Sequence, residues 1–467
     1  MKSKLWVFRD INLSQRASLA EALSISPATA SLFLARGVTT PDEATTWMSL
    51  QTPHDPFLIP DMEQAVERLH RAVTTQEQIC FYGDYDVDGI TATSVYLSFF
   101  GGLGAQVRAY VPHRLREGYG LNLGAVQRLH DEGISLLVTS DCGTTSHKEI
   151  ALAARLGMDV VVTDHHQTDE EMPPAVAVLN PHRAGALYPF RGLCSAALAY
   201  KVAQAYQSRY GAGGVPLESL LDLVALATVA DVVPLQDENR SFVREGLVQL
   251  SRGARCGVRA LKQVAGVTQD CTAETIAYKL APRINAAGRL DDAMLGVRLL
   301  TTENPLEAQQ LADRLEQLNR ERQRIEVDIM SEAMASLKGL EAPAALVLAS
   351  RHWHLGVVGI VAARLVDRFH CPAIVMAIDE QGVAKGSART TGGFDLYQGL
   401  ASCRELLMGF GGHPSAAGVT IQESRIDEFR ARFSEVVAGW SHEGAKVPTL
   451  NVDAEVRLDE VNLQLIQ

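Results

Sequence analysis

The residues with the clearest chemical potential are three aspartates at alternating positions, Asp84, Asp86 and Asp88, in GDYDVDG directly after a short apolar run. Carboxylates at this spacing can turn several oxygens toward one hard cation. An EF-hand calcium loop shares the D-x-D-x-D-G opening, but it requires a glutamate at its twelfth position, where this chain has Val95. It also requires a preceding helix, whereas ICFYG predicts a strand. A metal site and a structural aspartate-rich turn are the two interpretations left open.

Three further positions carry carboxylates or imidazoles after or within apolar runs. Asp141 follows LLVTS, His165 and His166 follow Asp164 after VVVT, and Asp231 lies inside an otherwise apolar segment. A single strand-end aspartate often only caps the next helix, and a single histidine there is usually structural. Together, however, these residues offer oxygen ligands, one or two imidazoles and no thiolate, which suits Mn²⁺ or Mg²⁺ better than structural zinc.

The number of carboxylates bears on how many ions they would hold. Several carboxylates close together repel one another unless more than one cation lies among them. Two metal ions about 3.5–4 Å apart are the known arrangement for in-line hydrolysis of phosphate esters, where they lower the pKa of the attacking water and stabilise charge on the phosphoryl group. The composition of the site therefore predicts a centre with two divalent ions.

These residues must be positioned by the elements that precede them. Short apolar runs predict buried strands at 79–83, 107–111, 136–140, 160–163 and 176–180. Helical stretches lie between them, an alternation that is typical of a parallel sheet with helices on its faces and ligands at the carboxyl ends of its strands. We predict an α/β fold in which this sheet domain is joined by a long helix to a smaller α/β domain, with an N-terminal helical region.

Composition and charge narrow the class of protein. The chain has 467 residues, 43 Lys+Arg against 55 Asp+Glu and a net charge of −12, which argues against coating duplex nucleic acid by bulk charge. No run approaches the ~18 apolar residues of a membrane helix, and the start, MKSKLWVFRD, lacks the apolar stretch of a secretory signal. The seven cysteines form no CxxC pair, which is typical of free thiols in a reducing compartment. We expect a cytoplasmic location and no membrane association.

The ordered motifs carry a family resemblance. GDYDVDG, SDCG, TDHH and VADVVP resemble the four motifs of the DHH phosphoesterase superfamily. RLREGYGLN, APRINAAGR, WHLGVVGIVAARL, KGSAR and GGHPSAAG narrow the resemblance to the bacterial RecJ single-strand-specific exonucleases. The resemblance implies a monomeric 5′→3′ exonuclease that releases nucleoside 5′-monophosphates from single-stranded DNA in recombination and repair. A single-strand-binding protein and a helicase would be its partners.

The resemblance also implies roles for individual residues. The metal-site residues would be Asp84, Asp86, Asp88, Asp141, His165 and Asp231. Asp141 would bridge the two ions, His165 would act with it in catalysis, and His166 would contact the phosphate or the leaving group. Which of the first three aspartates ligates directly stays open, because related phosphatases offer two carboxylates and a histidine there.

The resemblance implies that a second set of residues binds the single-stranded DNA. It comprises Arg114, Tyr119, Arg283, Asn285, Arg289, Trp353, His354, Ser387, Arg389, Gly412 and His413. Without the family motifs, each arginine would be interpreted as an ordinary surface residue and each aromatic residue as part of the core. The glycines of GFGGHPSAAG suit backbone contact with phosphates or, equally, a tight turn before a strand.

Five segments are predicted along the chain. They are an N-terminal helical region at 1–75, a DHH catalytic domain at 76–302, a linker helix at 303–340, a DHH-associated substrate-binding domain at 341–445 and the start of an OB-fold at 446–467. RecJ proteins continue into that OB-fold, a module suited to gripping single strands, so we expect a chain that is shortened at its C-terminus.

Two other functions stay open at this point. A DHH hydrolase of small phosphates (an oligoribonuclease, a cyclic-dinucleotide phosphodiesterase or a pyrophosphatase) would share the metal residues. Such enzymes are generally shorter and lack the N-terminal helices and the long linker. A non-catalytic scaffold in replication should have lost metal-site residues, and every expected acidic or histidine position is filled here.

Overall fold

The structure is a computed structural model that describes residues 5–49, 53–211, 213–338, 343–390, 393–440 and 449–466. The described parts of 1–51 and 326–467 form one compact unit, and those of 52–325 form another. The domain limits predicted at 340/341 and 445/446 lie outside the described residues. The limits at 75/76 and 302/303 stay predictions.

The first unit begins with β1 (Leu5–Phe8), α1 (Leu13–Leu23), α2 (Pro27–Ala35) and α3 (Pro41–Met48). The side chains of Asn12, Ser26 and Thr40 cap the three helices by accepting backbone N–H bonds. The sequence predicted only helices in this region, so strand β1 is a correction. It pairs in parallel with Thr449–Val452 at the other end of the chain, a partner that no local pattern reveals.

The second unit contains a five-stranded sheet. Its strands are β2 (Ile79–Gly83), β3 (Val107–Tyr110), β4 (Leu136–Ser140), β5 (Asp159–Thr163) and β6 (Ala177–Leu179). All pairs are parallel, in the spatial order β3-β2-β4-β5-β6. Every residue of β2 and β4 is buried, which explains why these strands are unbroken apolar runs in the sequence. The five predicted strands and the parallel sheet are confirmed.

The register of the central strands sets the geometry of the site. Gly83 lies opposite Ser140, and Ser140 lies opposite Thr163, so β2, β4 and β5 end level with one another. The next residue of each strand is an aspartate, which places Asp84 and Asp141 at the same edge of the sheet, together with the aspartate that follows Thr163.

Eleven helices accompany this sheet in the described part of the unit. They are α4 (Met62–Thr75), α5 (Val87–Gly102), α6 (Leu123–Asp131), α7 (His147–Arg155), α8 (Ser195–Tyr210), α9 (Leu221–Ala230), α10 (Asp237–Arg252), α11 (Cys256–Val264), α12 (Ala273–Thr275), α13 (Ala281–Leu290) and α14 (Met294–Thr301). A π-helical segment, Ile276–Leu280, joins α12 to α13. Helix α5 is buried along most of its length and packs against α8 and α9, so it anchors the turn that carries the three aspartates.

A single helix, α15 (Pro305–Ser336), occupies most of the segment where the sequence predicted a linker helix. Leu311, Leu315 and Leu318 are buried at helical spacing along it. The helix passes through the division between the two units at 325/326.

A second sheet follows in the first unit. Its strands are β7 (Leu346–Ser350), β8 (Ala373–Ile378), β9 (Val383–Arg389), β10 (Gly409–His413) and β11 (Ala416–Gln422), and the helices around it are α16 (Leu355–Phe369), α17 (Leu396–Ala401) and α18 (Ile426–Trp440). The spatial order is β10-β11-β9-β8-β7, with only the β7–β8 pair parallel. Strand β12 (Thr449–Val452) and α19 (Leu463–Ile466) complete the described chain. The predicted fold class is confirmed.

Within the described ranges, no single helix is long and apolar enough to cross a membrane, and only the bent pair α1 and α2 reaches that length and composition together. All seven cysteines are free thiols.

Candidate metal centre and active site

The turn after β2 brings the first aspartates to the sheet edge. Asp86 caps α5, because its Oδ1 accepts the N–H groups of Asp88 at 2.9 Å and Gly89 at 3.2 Å. A side chain at Gly89 would lie 2.4 Å from the backbone N and O of Asp84, so only glycine allows this close approach. Asp84 is 1 % exposed, and among the described residues its Oδ1 has no hydrogen-bond partner.

The carboxylate of Asp88 faces the N-terminus of α8. It accepts the N–H of Ser195 at 2.7 Å on Oδ2 and the N–H of Ala196 at 2.9 Å on Oδ1. A helix N-terminus stabilises a negative charge through its free N–H groups and its dipole. These two hydrogen bonds hold the Asp88 carboxylate in a single orientation.

Asp141 follows β4 in a left-handed backbone conformation, with φ of 66°. Such a conformation costs a non-glycine residue roughly 1–2 kcal/mol, so the surrounding contacts must hold it. Its Oδ1 accepts a hydrogen bond from Ser195 Oγ at 3.2 Å, and its backbone O accepts one from Tyr119 Oη at 3.2 Å. The strained turn directs the carboxylate toward the other aspartates.

One nitrogen of His165 lies among three carboxylates that come from three different elements. Its Nε2 is 3.1 Å from Asp141 Oδ1, 3.5 Å from Asp88 Oδ2 and 3.6 Å from Asp231 Oδ2. Asp231 is the C-cap of α9, and the next residue, Val232, has φ of 59°, which a β-branched residue rarely adopts. A backbone conformation that is unfavourable for a non-glycine residue therefore occurs at one of these carboxylates, Asp141, and directly after another, Asp231.

These side chains form three overlapping groups of close donor atoms. The groups are Asp84, Asp86 and Asp141; Asp88, His165 and Asp231; and Asp141, His165 and His166. Within each group the donor atoms lie within 4.8 Å of one another. Asp141 and His165 each belong to two groups, so the arrangement offers two neighbouring centres with shared ligands.

Burial and mutual repulsion disfavour the ionised carboxylates. Burial, and then the neighbouring Asp86, raise the pKa of Asp84 well above its ordinary range. Burial and the charges of four neighbouring aspartates do the same to the pKa of Asp141. The pKa of Asp231 rises to about 8, first through burial and then through Asp88. A cluster that holds protons this firmly is one in which divalent cations would replace them.

His166 is paired with Asp164, a residue of the TDHH motif to which the sequence gave no role of its own. Burial disfavours the charged imidazole, but the hydrogen bond between Nδ1 and Asp164 Oδ1, at 2.7 Å, outweighs it and raises the pKa of His166 to about 9. Burial is likewise outweighed at Asp164, where His166 and the N–H of Thr144 lower the pKa to about 2. The pair is therefore an imidazolium–carboxylate pair at neutral pH.

Five of the residues predicted to bind the DNA strand lie in the same unit as the aspartate cluster: Arg114, Tyr119, Arg283, Asn285 and Arg289. The Arg114 guanidinium lies 4.8 Å from the centre of the Tyr85 ring, and the Tyr119 ring is 6.2 Å from that of His166. Asn285 Oδ1 accepts the N–H of Val87 at 3.1 Å, which ties α13 to the start of α5. Arg289 is half-buried, and loss of solvent together with the charges of Arg114 and of a residue on α15 lowers its pKa to about 10.

Arg283 is held by other contacts. Its Nη1 donates to the backbone O of Lys279 at 2.6 Å, and its Nε lies 2.7 Å from Glu316 Oε2. The first contact joins α13 to its π-helical neighbour, and the second joins α13 to α15. A role for Arg283 in strand binding stays a prediction.

The remaining predicted residues belong to the other unit. Trp353 is 8 % exposed, and its Nε1 donates to Glu332 Oε2 at 2.7 Å, so it occupies the core position that the sequence left open as an alternative. His354 caps α16 by accepting the N–H of Gly356. Their roles toward a substrate stay predictions.

Two strands of that unit carry the other four residues. Ser387 and Arg389 lie on β9, and both approach α16 at Gly359, where an added side chain would meet them at 3.0 and 3.5 Å. Gly412 has φ of 143°, and a side chain there would lie 2.4 Å from the backbone O of Ala416. The exposed His413 ends β10. The close approach of β10 and β11 therefore requires glycine at position 412.

Sequence reasoning missed one polar contact of the centre. The N-terminus of α8, with the hydroxyl of Ser195, holds both Asp88 and Asp141. No sequence signal marks it, because Ser195 lies far along the chain from the aspartates and follows an ordinary loop.

Comparison with known proteins agrees with this geometry. Residues 78–228 match the DHH family N-terminal domain, and residues 343–439 match the DHHA1 domain. The single-stranded-DNA-specific exonuclease RecJ of Bacillus subtilis is 40 % identical across 99 % of this chain, and that of Dickeya dadantii is 37 % identical across 89 % of it. The crystal structure of RecJ from Thermus thermophilus in complex with Mn²⁺ has a TM-score of 0.83 and 30 % identity, and covers 96 % of this chain. A structure of the same protein holds Mg²⁺.

The two domain matches place the chain among DHH-domain proteins with a DHHA1 domain. The chain belongs to the RecJ family, since it covers 76 % of the Dickeya dadantii protein at 37 % identity. It spans 58 % of the Bacillus subtilis protein and 64 % of the Thermus thermophilus chain.

Proposed function

We propose that this chain is a single-stranded-DNA-specific 5′→3′ exonuclease that releases nucleoside 5′-monophosphates with two divalent metal ions and acts in DNA recombination and repair. The observation that carries the proposal is the set of three overlapping donor groups at one sheet edge. Membership of the RecJ family supports the substrate and the reaction, because the relatives are named as single-stranded-DNA-specific exonucleases.

The donor set fits Mn²⁺ or Mg²⁺. One ion would be held by Asp84, Asp86 and Asp141, and the other by Asp88, His165 and Asp231, with Asp141 near both groups. The unpartnered buried Oδ1 of Asp84 and the raised carboxyl pKa values are the features that a divalent cation would relieve. When bound, such ions lower the pKa of a water molecule and stabilise negative charge on the phosphate.

His166 would supply a proton donor to the reacting phosphodiester. Its Nδ1–H is held by Asp164, so Nε2 is the ring nitrogen left to face a strand. With a pKa of about 9 the ring is protonated at neutral pH, and Nε2–H can donate to a phosphate oxygen or to the departing 3′ oxygen. Asp164 thus serves the reaction by holding the imidazolium in one orientation.

The strand itself would be held by cations and aromatic rings close to the aspartate cluster. Arg114 and Arg289 would contact phosphates, and Tyr119 would pack on a sugar or base near the 5′ end. Ser387, Arg389 and His413 stay predicted strand-binding residues on the strength of the family motifs that contain them. We extend the proposal to a cytoplasmic monomer that works with a single-strand-binding protein and a helicase, in keeping with its seven free cysteines.

The proposal is tested by incubating the chain with Mn²⁺ and 5′-labelled DNA, single-stranded or duplex. We expect labelled mononucleotide from the single strand only. Asp141→Ala should abolish the release, while Asp131→Ala, which removes an exposed carboxylate on α6, should leave it unchanged.

Other outcomes would contradict the proposal. Release from the 3′ end, or equal action on duplex DNA, would remove the stated specificity. Cleavage of dinucleotides without action on longer strands would assign the site to a hydrolase of small phosphates. Binding of single strands by the wild type without cleavage would favour a scaffold.

A further inference from the structure

The loop between β3 and α6, residues 111–122, reaches the proposed site from the edge of the sheet. It carries Arg114 onto the Tyr85 ring and places the Tyr119 hydroxyl on the backbone of Asp141. Its second half is tied down by Tyr82, whose hydroxyl donates to Gly120 O at 2.9 Å. The first half of the loop, which carries Arg114, is held in place by a different residue.

That residue is Glu117. Its Oε1 accepts the hydroxyl of Tyr110, the last residue of β3, at 2.6 Å, and its Oε2 accepts the backbone N–H of His113 at 2.8 Å. The Arg128 guanidinium on α6 donates to the same Oε1 and also contacts the hydroxyl of Tyr110. One carboxylate therefore joins the strand, the helix and the start of the loop.

These contacts are partly withdrawn from water. The Glu117 side chain is 20 % exposed, and its bonds to His113 N–H, Tyr110 and Arg128 outweigh burial and lower its pKa. The N–H groups of Arg116 and Glu117 both donate to His113 O, so the loop forms a tight turn around the residue that the carboxylate anchors. Charge-assisted bonds of this kind hold a short loop in one conformation.

We propose that Glu117 is a positioning residue for the 5′ end of the strand: its bonds fix residues 113–117 so that Arg114 is held over Tyr85, ready for a terminal phosphate. This inference rests on the proposed function for its substrate. Arg114 then meets the phosphate without first losing the freedom of a mobile loop, which improves binding rather than the chemical step.

The chain offers a matched control that joins the same two elements. Arg108 on β3 pairs with Glu132 at the end of α6 at 2.6 Å, away from the loop. Glu132→Ala and Glu117→Ala each remove one negative charge and one ion pair, with Arg108 on β3 for Glu132 and with Arg128 on α6 for Glu117. Only Glu117→Ala removes the bonds that hold the loop.

The test measures the KM and kcat of each variant on single strands with a 5′-phosphate or a 5′-hydroxyl, and direct binding of the same oligonucleotides. We expect Glu117→Ala to raise KM and Kd for the 5′-phosphorylated strand about tenfold, with kcat within about twofold. Glu132→Ala should leave both constants within about twofold. Thermal unfolding and Mn²⁺ affinity of the two variants should be alike.

A double-mutant cycle separates positioning from a general loss of structure. In an Arg114→Ala background, Glu117→Ala should add little to the loss, because the arginine that it positions is already gone. Equal losses in both backgrounds, or equal effects of Glu117→Ala and Glu132→Ala, would overturn the inference. A wild type that binds 5′-phosphorylated strands without cutting them would contradict the proposed function, and the binding cycle would still decide the role of Glu117.

Discussion

Replacing Asp231 with asparagine should move the stability of the chain in opposite directions with and without Mn²⁺. Its carboxyl lies near His165 and Asp88, and burial followed by the charge of Asp88 raises its pKa from 3.8 to about 8. Between those values the folded chain holds a proton at this carboxyl that the unfolded chain has released. The protonated Asp231 carboxyl makes its full contribution to the free energy of unfolding below about pH 4. This contribution is lost as the pH rises through about 8.

The structure sets the size of this effect. A pKa difference of this size corresponds to at most about 6 kcal/mol, at 1.36 kcal/mol for each pH unit. Since the side chain is 28 % exposed, we expect solvent to reduce this to about 1–2 kcal/mol. Asparagine is neutral at every pH, so Asp231→Asn in EDTA at about pH 8 should unfold roughly 2–6 °C above the wild type.

With Mn²⁺ the order should reverse. A metal at a concentration of about 100 Kd stabilises a chain that binds it only when folded by about 2.7 kcal/mol. The variant lacks one carboxylate of the group formed with Asp88 and His165, so it should gain much less. The wild type should therefore unfold at the higher temperature.

The assay is thermal unfolding followed by circular dichroism, at several pH values, in EDTA and in Mn²⁺. Asp222→Asn is the matched control, because Asp222 also lies on α9 but pairs with Arg255, so its loss should lower the midpoint in both conditions. The reasoning is refuted if Asp231→Asn unfolds below the wild type in EDTA at about pH 8, or if Mn²⁺ stabilises both chains equally.

Three further substitutions test single contacts of the centre. Asp164→Asn should return the pKa of His166 from about 9 toward its ordinary 6.5, so the alkaline limb of a kcat–pH profile should move down by about two units; an unmoved limb would contradict the role of the pair. Ser195→Ala removes the hydroxyl that donates to Asp141, and calorimetry should show Mn²⁺ affinity falling about tenfold, with an unchanged affinity as the contrary result. Gly89→Ala would place a methyl 2.4 Å from the backbone of Asp84, so it should lower the unfolding midpoint; an unaltered melt would show that the turn can relax.

The strands and the gathering of the aspartates at one sheet edge could be predicted because their signals are local. Four of the five strands of the parallel sheet are short, largely buried runs, and parallel strands that end level bring Asp84 and Asp141 to one edge. Histidines that follow the next strand arrive at that edge for the same reason. The pattern of apolar runs and the geometry of parallel sheets were sufficient to predict this sheet and the residues at its edge.

Contacts between distant segments could not be predicted. Strand β1 exists because it pairs with Thr449–Val452, and neither segment alone indicates the pairing. Ser195 reaches Asp88 and Asp141 only through the packing of α8 against α5. Glu117 is one acidic residue among many in the sequence, and its importance comes from the three elements that meet at its carboxylate.

The most direct test of the account is the number of Mn²⁺ ions bound by the wild type, Asp231→Ala and Asp141→Ala, measured by equilibrium dialysis. The donor groups predict two ions for the wild type, one for Asp231→Ala, and the loss of tight binding at both positions for Asp141→Ala, because Asp141 lies near both groups. A wild type that binds a single ion, or an Asp141→Ala chain that still binds two, would contradict it.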